Sequence, residues 1–354
     1  MYERAAATLR EAAESGRRVR IRGGGTKLGW GAPAPPPDVE LDLREHDRIL
    51  EHNEGDLTAV VQAGVPLARL QEELAGARQM LAIDPAPHPD ATVGGVLATG
   101  DSGPLRHRYG APRDIVLGMT VALSDGTIAR SGGKVIKNVA GYDLAKLFTG
   151  SLGTLGAILE VALRLQPVPA TTATLVVEAE GPEEIAAAAL QLAHAPIEAQ
   201  CLDVRWGGGG GRVFARFGGA EAATRAREAG PHGEVIEDDE AMWDEQRALQ
   251  RGSLVVRVSG VQTQLADQIR AAERLGGSLV ARAAYGLAWV ALPNAEAVPE
   301  LRRMLAPSPC VVLDGDADDP WGVVDPGAVG LMRRVKERFD PAGACNPGVF
   351  VGGI

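Results

Sequence analysis

Small residues govern the stretch from Pro85 to Arg113, PAPHPDATVGGVLATGDSGPLRHRYGAPR, where Gly94, Gly95, Gly100, Gly103 and Gly110 recur between Ala91, Ala98, Thr99 and Ser102. A backbone of this kind can come within contact distance of a large flat ligand and adopt positive φ where a Cβ would clash. Taken alone, the stretch reads equally well as a glycine-rich surface loop. A second cluster upstream, Arg22-Gly23-Gly24-Gly25-Thr26-Lys27, changes that balance. The two read together as one dinucleotide site built by separate loops.

Neither of two familiar phosphate motifs fits the upstream cluster. GxGxxG fails because Leu28 stands where the third small residue belongs, and no GK[ST] completes a Walker A loop. What remains is a run of consecutive backbone N–H groups able to form an anion-binding nest, with Arg22 and Lys27 as flanking cations.

The chain of 354 residues exceeds the ~250–300 at which single cores stop growing, so two domains are expected. A formal net charge of −10 argues against a nucleic-acid partner, since phosphate backbones are bound by clustered Lys and Arg. Cys201, Cys310 and Cys345 are far apart and form no CxxC pair, so no metal, iron–sulfur or disulfide framework is suggested, and buried thiols in a reducing compartment are expected. The charged N-terminus lacks the apolar core of a signal peptide, and no run of 18 apolar residues is present. A cytoplasmic protein is expected.

Along the chain, a helix over 2–16 leads into a strand, 18–22, and then the glycine loop. Strands follow at 39–43 and 58–63, and Pro66 opens a helix carrying Leu67, Leu70 and Leu74. Residues 115–123 and 127–130 flank Ser124-Asp125-Gly126 as a hairpin. A short helix over 143–148 precedes Gly150, Gly153, Gly156 and a strand that Pro167 and Pro169 end. From 174 the order becomes strand, helix, strand, strand, helix, a ferredoxin-like rhythm. A second half brings strands at 253–259, 279–292 and 310–314, with helices at 240–250, 261–275 and 294–305. Gly207 to Gly211 reads as a hairpin tip. The tail has a helix through Phe339 and then DPAGACNPG, two turns that return the chain to another element.

Four blocks in this order, RGGGTK, DATVGGVLATGDSGP…RYGAPRDIVLG, AGYDLAKLFTGSLGTLGAILEVALRL and FDPAGACNPG, resemble the vanillyl-alcohol-oxidase/PCMH-type FAD-binding superfamily. Within it, the short cap and the KNVAGYDLAKLFTGSLGTLG run are most similar to the FAD-binding E-type subunits of bacterial glycolate oxidase. The resemblance implies an α+β fold: a PCMH-type two-subdomain FAD-binding domain over 1–168, a smaller ferredoxin-like cap over 169–330, and a segment over 331–354 returning to the FAD domain. It implies that Arg22, Gly23, Gly24, Gly25, Thr26 and Lys27 hold the pyrophosphate, with Thr92, Gly94 and Gly95 beside it. Thr99, Gly100, Ser102 and Gly103 would approach the isoalloxazine, with Tyr109 and Gly110 shaping that wall. Gly141 and Tyr142 stand in the GYDL motif, where packing is the stronger reading for Tyr142. Gly156 and Ile158 would offer backbone contacts, and Asn346 would close the site from the tail. The loop Gly25-Thr26-Lys27 has no His of the kind that tethers flavin in some members, so the FAD is expected to be non-covalent.

Oxidising a 2-hydroxy acid calls for a base, a carboxylate clamp and a hydride acceptor, the last supplied by flavin. Arg257 and Arg247 are clamp candidates, and His107, between Arg106 and Arg108, is the candidate base. The histidines form no closely spaced ligand pair, so no metal is expected. The resemblance implies glycolate-to-glyoxylate oxidation in a complex with a larger FAD subunit and an iron–sulfur subunit, membrane-associated only through those partners. Two other readings stay open: a stand-alone flavin dehydrogenase for an acid such as D-lactate, and a non-catalytic FAD-containing assembly subunit.

Overall fold

The computed structural model describes residues 2–133, 144–230 and 232–354. Helix α1 (Glu3–Glu14) buries Leu9 and Ala12 against a two-stranded parallel sheet, β1 (Val19–Arg22) and β2 (Val39–Asp42). Cys345 of the tail bridges in parallel to Val19, so the C-terminal turn extends this small sheet. Beside it lies an antiparallel five-stranded sheet. Its strands are β3 (Ile49–Asn53), β4 (Thr58–Gln62), β5 (Val116–Ala122), β6 (Ile128–Gly132) and β7 (Ala157–Arg164), in the order β3-β4-β7-β5-β6. Helix α2 (Leu67–Ala75) and helix α3 (Val93–Thr99) cover one face, where Leu70, Leu74, Val96 and Leu97 join Val61 and Val161 in the core.

The heart of the glycine-rich stretch is therefore helical. The Thr92 hydroxyl caps α3 by accepting the Gly95 N–H at 3.2 Å. A Cβ on Gly94 would lie 2.6 Å from the Ala63 Cβ, so glycine is what lets the helix press onto the end of β4.

The cap is one eight-stranded sheet made of two ferredoxin-like halves. The first is β8 (Thr172–Ala179), α4 (Pro182–His194), β9 (Cys201–Gly207), β10 (Gly210–Gly218), α5 (Ala222–Ala229) and β11 (Glu234–Ile236). Helix α6 (Glu240–Ala248) leads into the second half. That half is β12 (Val255–Ser259), α7 (Leu265–Arg274), β13 (Ser278–Arg282), β14 (Leu287–Ala291), α8 (Ala297–Leu305) and β15 (Cys310–Asp314). The sheet order, β11-β8-β10-β9-β13-β14-β12-β15, repeats the same wiring in mirror order, and the halves join where β9 and β13 run antiparallel. The strand expected over 279–292 is two strands. Gly286 at φ +63° turns the chain after Ala283–Tyr285, and Arg282 pairs with Leu287 across the hairpin. Helices α4, α5, α7 and α8 bury Ile185, Ala226, Ile269 and Leu301 in the cap core.

Helix α9 (Pro326–Phe339) then brings the chain back to the first domain. Its Lys336 ammonium is buried and donates to the Thr154 carbonyl at 2.7 Å, the Asp340 carboxylate at 2.6 Å and the Cys345 carbonyl at 2.9 Å. No helix among the described residues is long and apolar enough to cross a membrane.

Candidate FAD site

A cavity runs along the C-terminal end of β1, under the loop Gly23–Lys27 and past α3 to the tail. It is lined by Arg22, Gly23, Gly24, Gly25, Thr26 and Lys27, and by Thr92, Gly94, Gly95 and Thr99. Gly156 and Ile158 at the start of β7, and Asn346 in the NPG turn, complete the set of expected residues that line it. Segments from both ends and the middle of the chain thus meet on one space.

The loop fits a diphosphate through its backbone. None of the N–H groups from Gly23 to Lys27 donates a hydrogen bond to any described residue. Such an unpaired run is what an anion nest requires. The loop is pinned from behind, since a Cβ on Gly23 would meet the Thr92 hydroxyl at 2.1 Å and one on Gly24 the Asp90 carbonyl at 1.6 Å. Gly25 adopts φ +75°, which turns the loop toward Thr26.

The flanking cations are already engaged. Arg22 pairs with Glu40 at 2.8 Å and Asp42 at 3.2 Å, and Lys27 meets the buried Asp101 carboxylate at 3.2 Å. Backbone dipoles, more than these side-chain charges, therefore present themselves to an anion. Among the described residues, no His, Cys or Tyr lines the cavity.

Asn346 acts on the site as scaffold. At φ +40° its Oδ1 accepts the Ile21 N–H at 2.7 Å, while Nδ2 donates to the Leu152 carbonyl at 2.7 Å. A Cβ on Gly153 would fall 2.8 Å from that Nδ2, so the glycine admits the amide. Sequence reasoning placed Asn346 here but missed Lys336 and Asp340, which hold the same turn from below; a lysine four residues before an aspartate on a helix gives no sign of burial.

The remaining expected residues lie elsewhere. Gly100 and Ser102 line a second cavity, of 220 Å³, between the 100–106 loop and cap strands β12 and β14. Asp101, Arg106 and Arg257 face the same space, and Trp30 borders both cavities. Gly103 packs on the Asp84 carbonyl, where a Cβ would come within 1.7 Å. Tyr109 accepts a hydrogen bond from Gln200 of the cap at 3.2 Å, and Gly110, at φ +88°, packs on Asp114. These three join the domains or shape the loop and line neither cavity. Gly141 and Tyr142 lie outside the described residues.

Of the catalytic candidates, Arg257 faces the second cavity and the other two do not line it. Arg247 is held by Glu240 at 2.7 Å, Asp244 at 2.6 Å and Asp84 at 3.8 Å, which leaves its guanidinium engaged as a tie between α6 and the first domain. The His107 ring packs edge-on to Tyr285 with a buried, unpartnered Nδ1, and burial together with Arg108 lowers its pKa. Burial pushes Asp84 up to about 7 and Asp203 up to about 6, against the pull of Arg247 and Arg282 respectively. Asp203 is buried against Arg282 at 2.5 Å, and Arg282 reaches Gln250, whose amide donates to the Ser102 carbonyl at 3.1 Å. Among the described residues no group of His, Cys, Asp or Glu is arranged to hold a metal ion.

With this geometry in place, comparison with known proteins is informative. Residues 2–132 match the family described as FAD binding domain, and residues 323–350 match the C-terminal domain of FAD linked oxidases. Those two matches make the first 132 residues similar to an FAD-binding domain and the tail similar to the end of an FAD-linked oxidase. Its cofactor is FAD. The chain is 37% identical over 214 residues to the glycolate oxidase subunit GlcE of Escherichia coli (strain K12), covering 57% of this chain and 60% of that one. To the glycolate oxidase subunit GlcD of Bacillus subtilis (strain 168) it is 39% identical over 154 residues, which is 44% of this chain and 33% of the relative. A D-lactate dehydrogenase of Archaeoglobus fulgidus is 39% identical over 47% of this chain and 37% of its own length. The chain thus spans 60% of the first relative and 33% and 37% of the other two. Among solved structures, an alkyldihydroxyacetonephosphate synthase superposes with a TM-score of 0.74 at 18% identity, over 98% of this chain and 75% of that one. That likeness shows a shared α+β fold over nearly the whole of this chain, cap included.

Proposed function

We propose that the chain is a flavin-bearing oxidoreductase subunit that oxidises a small 2-hydroxy acid, of the glycolate oxidase kind. The observation that carries the proposal is the convergence of the unpaired Gly23–Lys27 N–H groups, α3 and the Asn346 turn on one cavity. Bound flavin would supply a two-electron hydride acceptor. The chain's own residues would hold it: the Gly23–Lys27 backbone for the diphosphate, with Thr92, Gly94, Gly95 and Thr99 along one side and Gly156, Ile158 and Asn346 opposite. The FAD is held without a covalent bond, a reading supported by the lack of His, Cys and Tyr among the described lining residues.

Arg257 is the carboxylate clamp in this proposal, because its side chain makes no hydrogen bond or ion pair within the described residues and faces the second cavity. The chain acts in the cytoplasm with a larger flavin subunit and an iron–sulfur subunit. The relatives named as subunits of glycolate oxidase support a multi-subunit assembly. The test is purification with its flavin, followed by anaerobic titration with glycolate and D-lactate, alone and with the partner subunits. Bleaching of the flavin band by glycolate is the expected result. A protein that emerges colourless and refuses FAD overturns the proposal, and a loaded flavin that no hydroxy acid reduces in either setting removes its catalytic half.

A further inference from the structure

The second cavity carries charges that the FAD site does not use. Arg257 projects from β12 into it, with a buried Nε that no described group satisfies. From the opposite wall Arg106 lies with its guanidinium over the Tyr285 ring at 5.6 Å, and its nearest polar contact is the Ser102 hydroxyl at 3.4 Å. Two guanidiniums without a carboxylate partner within 4 Å among the described residues therefore face one cavity, which concentrates positive potential there. Buried cations of this kind are stable when an anion joins them.

Asp101 lies in the same lining and is 5% exposed. Lys27 approaches its Oδ2 at 3.2 Å, yet that oxygen has no hydrogen bond of acceptable geometry. The ammonium offsets its charge, and the carboxylate belongs to the lining of the cavity with acceptor capacity that no described donor takes up. Thr99 lines the FAD cavity and Gly100 this one, so the two spaces adjoin along consecutive residues of one loop. A volume of 220 Å³ suits a molecule of a few heavy atoms and not a sugar chain or a peptide.

Resting on the proposed function above, we infer that this cavity is an α-hydroxycarboxylate site: Arg257 and Arg106 take the carboxylate, and Asp101, steadied by Lys27, accepts the hydrogen bond of the hydroxyl. Asp101 is thereby the residue that selects hydroxy acids over simple acids. A site built to pair a hydroxyl leaves its polar group unmatched when the hydroxyl is missing, which is what makes such selection strong. Its place inside the glycine block gave no hint of this role, since an aspartate between glycines reads as a turn residue.

Calorimetric titration of the FAD-loaded protein with glycolate and with acetate tests the inference, with flavin content measured separately by absorbance. Glycolate is expected to bind about tenfold or more tighter than acetate, the change one charge-assisted hydrogen bond supplies. Arg257→Gln, which removes a side chain without partners to disturb, is expected to weaken both ligands by a similar factor, and Arg106→Gln to act in the same direction. The pair Lys27→Met with Asp101→Leu removes both buried charges together and should abolish the preference while acetate binding persists. Equal binding of glycolate and acetate to the parent protein overturns the role of Asp101. Unchanged affinity in Arg257→Gln overturns the site itself. In either case a full flavin content leaves the FAD assignment standing, whereas failure to load FAD would strike that assignment and not this one.

Discussion

Asn346 reaches across the fold to accept the Ile21 N–H at 2.7 Å, and so fastens the last turn of the chain to its first strand. The same amide donates to the Leu152 carbonyl, which makes it the joint of three segments around the FAD cavity. Asn346→Ala would leave the Ile21 N–H and the Leu152 carbonyl unmatched and keep a non-glycine residue at positive φ. The expected loss is about 2–4 kcal/mol of stability, read as a lower urea midpoint. FAD affinity should fall with it, and Asn346→Asp should restore part of the stability through the Ile21 bond.

Gly24 offers a sharper probe of the diphosphate loop. A Cβ there would sit 1.6 Å from the Asp90 carbonyl, so Gly24→Ala must push the loop into the cavity. FAD binding should weaken at least about tenfold, equivalent to about 1.4 kcal/mol, with the far-ultraviolet circular dichroism of the cap unchanged. Equal FAD affinity in the variant, measured by flavin fluorescence, would show that the loop does not meet the ligand.

Asp84 links stability to pH. It accepts the Leu105 N–H at 3.1 Å and is raised by burial to about 7, above the ordinary 3.8. The folded state thus holds more protons than the unfolded chain between those values, so this group's stability contribution is full below 3.8 and lost as pH rises through about 7. Asp84→Asn cannot titrate and keeps an acceptor for Leu105. Relative to the parent, the variant should gain stability between pH 5 and pH 8, by at most about 1.4 kcal/mol per pH unit. Urea denaturation at both pH values checks the sign.

Lys336 and Asp340 form a buried pair on which the tail turn is built, with the Ala344 and Cys345 N–H groups donating to the same carboxylate. Lys336→Met strands Asp340, which is 1% exposed, and is expected to cost about 3–5 kcal/mol. Adding Asp340→Asn should recover part of that loss, because the amide keeps an acceptor without the unpaired charge. Additive losses in the double variant would contradict coupling between the two.

Much of this site was legible from the chain. The glycine clusters at 23–25 and 94–103 and the NPG turn announced close backbone approach, because glycine is common where a Cβ cannot fit, and Gly23, Gly24, Gly94 and Gly103 show that limit in the structure. Most of the cap's strands and helices were equally plain; the exceptions are the three-residue edge strand at 234–236, too short to show a period, and 279–292, where a single Gly286 reverses the chain inside an unbroken apolar run. The candidates that did not reach a cavity, Arg247 and His107, were chosen by residue type, and type does not say which partners a side chain finds. Three carboxylates claim Arg247, whereas among the described residues none comes within 4 Å of Arg257.

Local backbone demands are written in the sequence: where the chain must bend tightly, come close to a ligand or alternate its faces, the residue types record it. Which charges are buried together is decided between segments far apart in the chain, as with Lys27 and Asp101 beside Arg257. Their pairing depends on distances of a few ångströms set by the docking of the cap on the FAD domain. Only the tertiary structure fixes those distances, and with them the difference between a surface arginine and a candidate clamp.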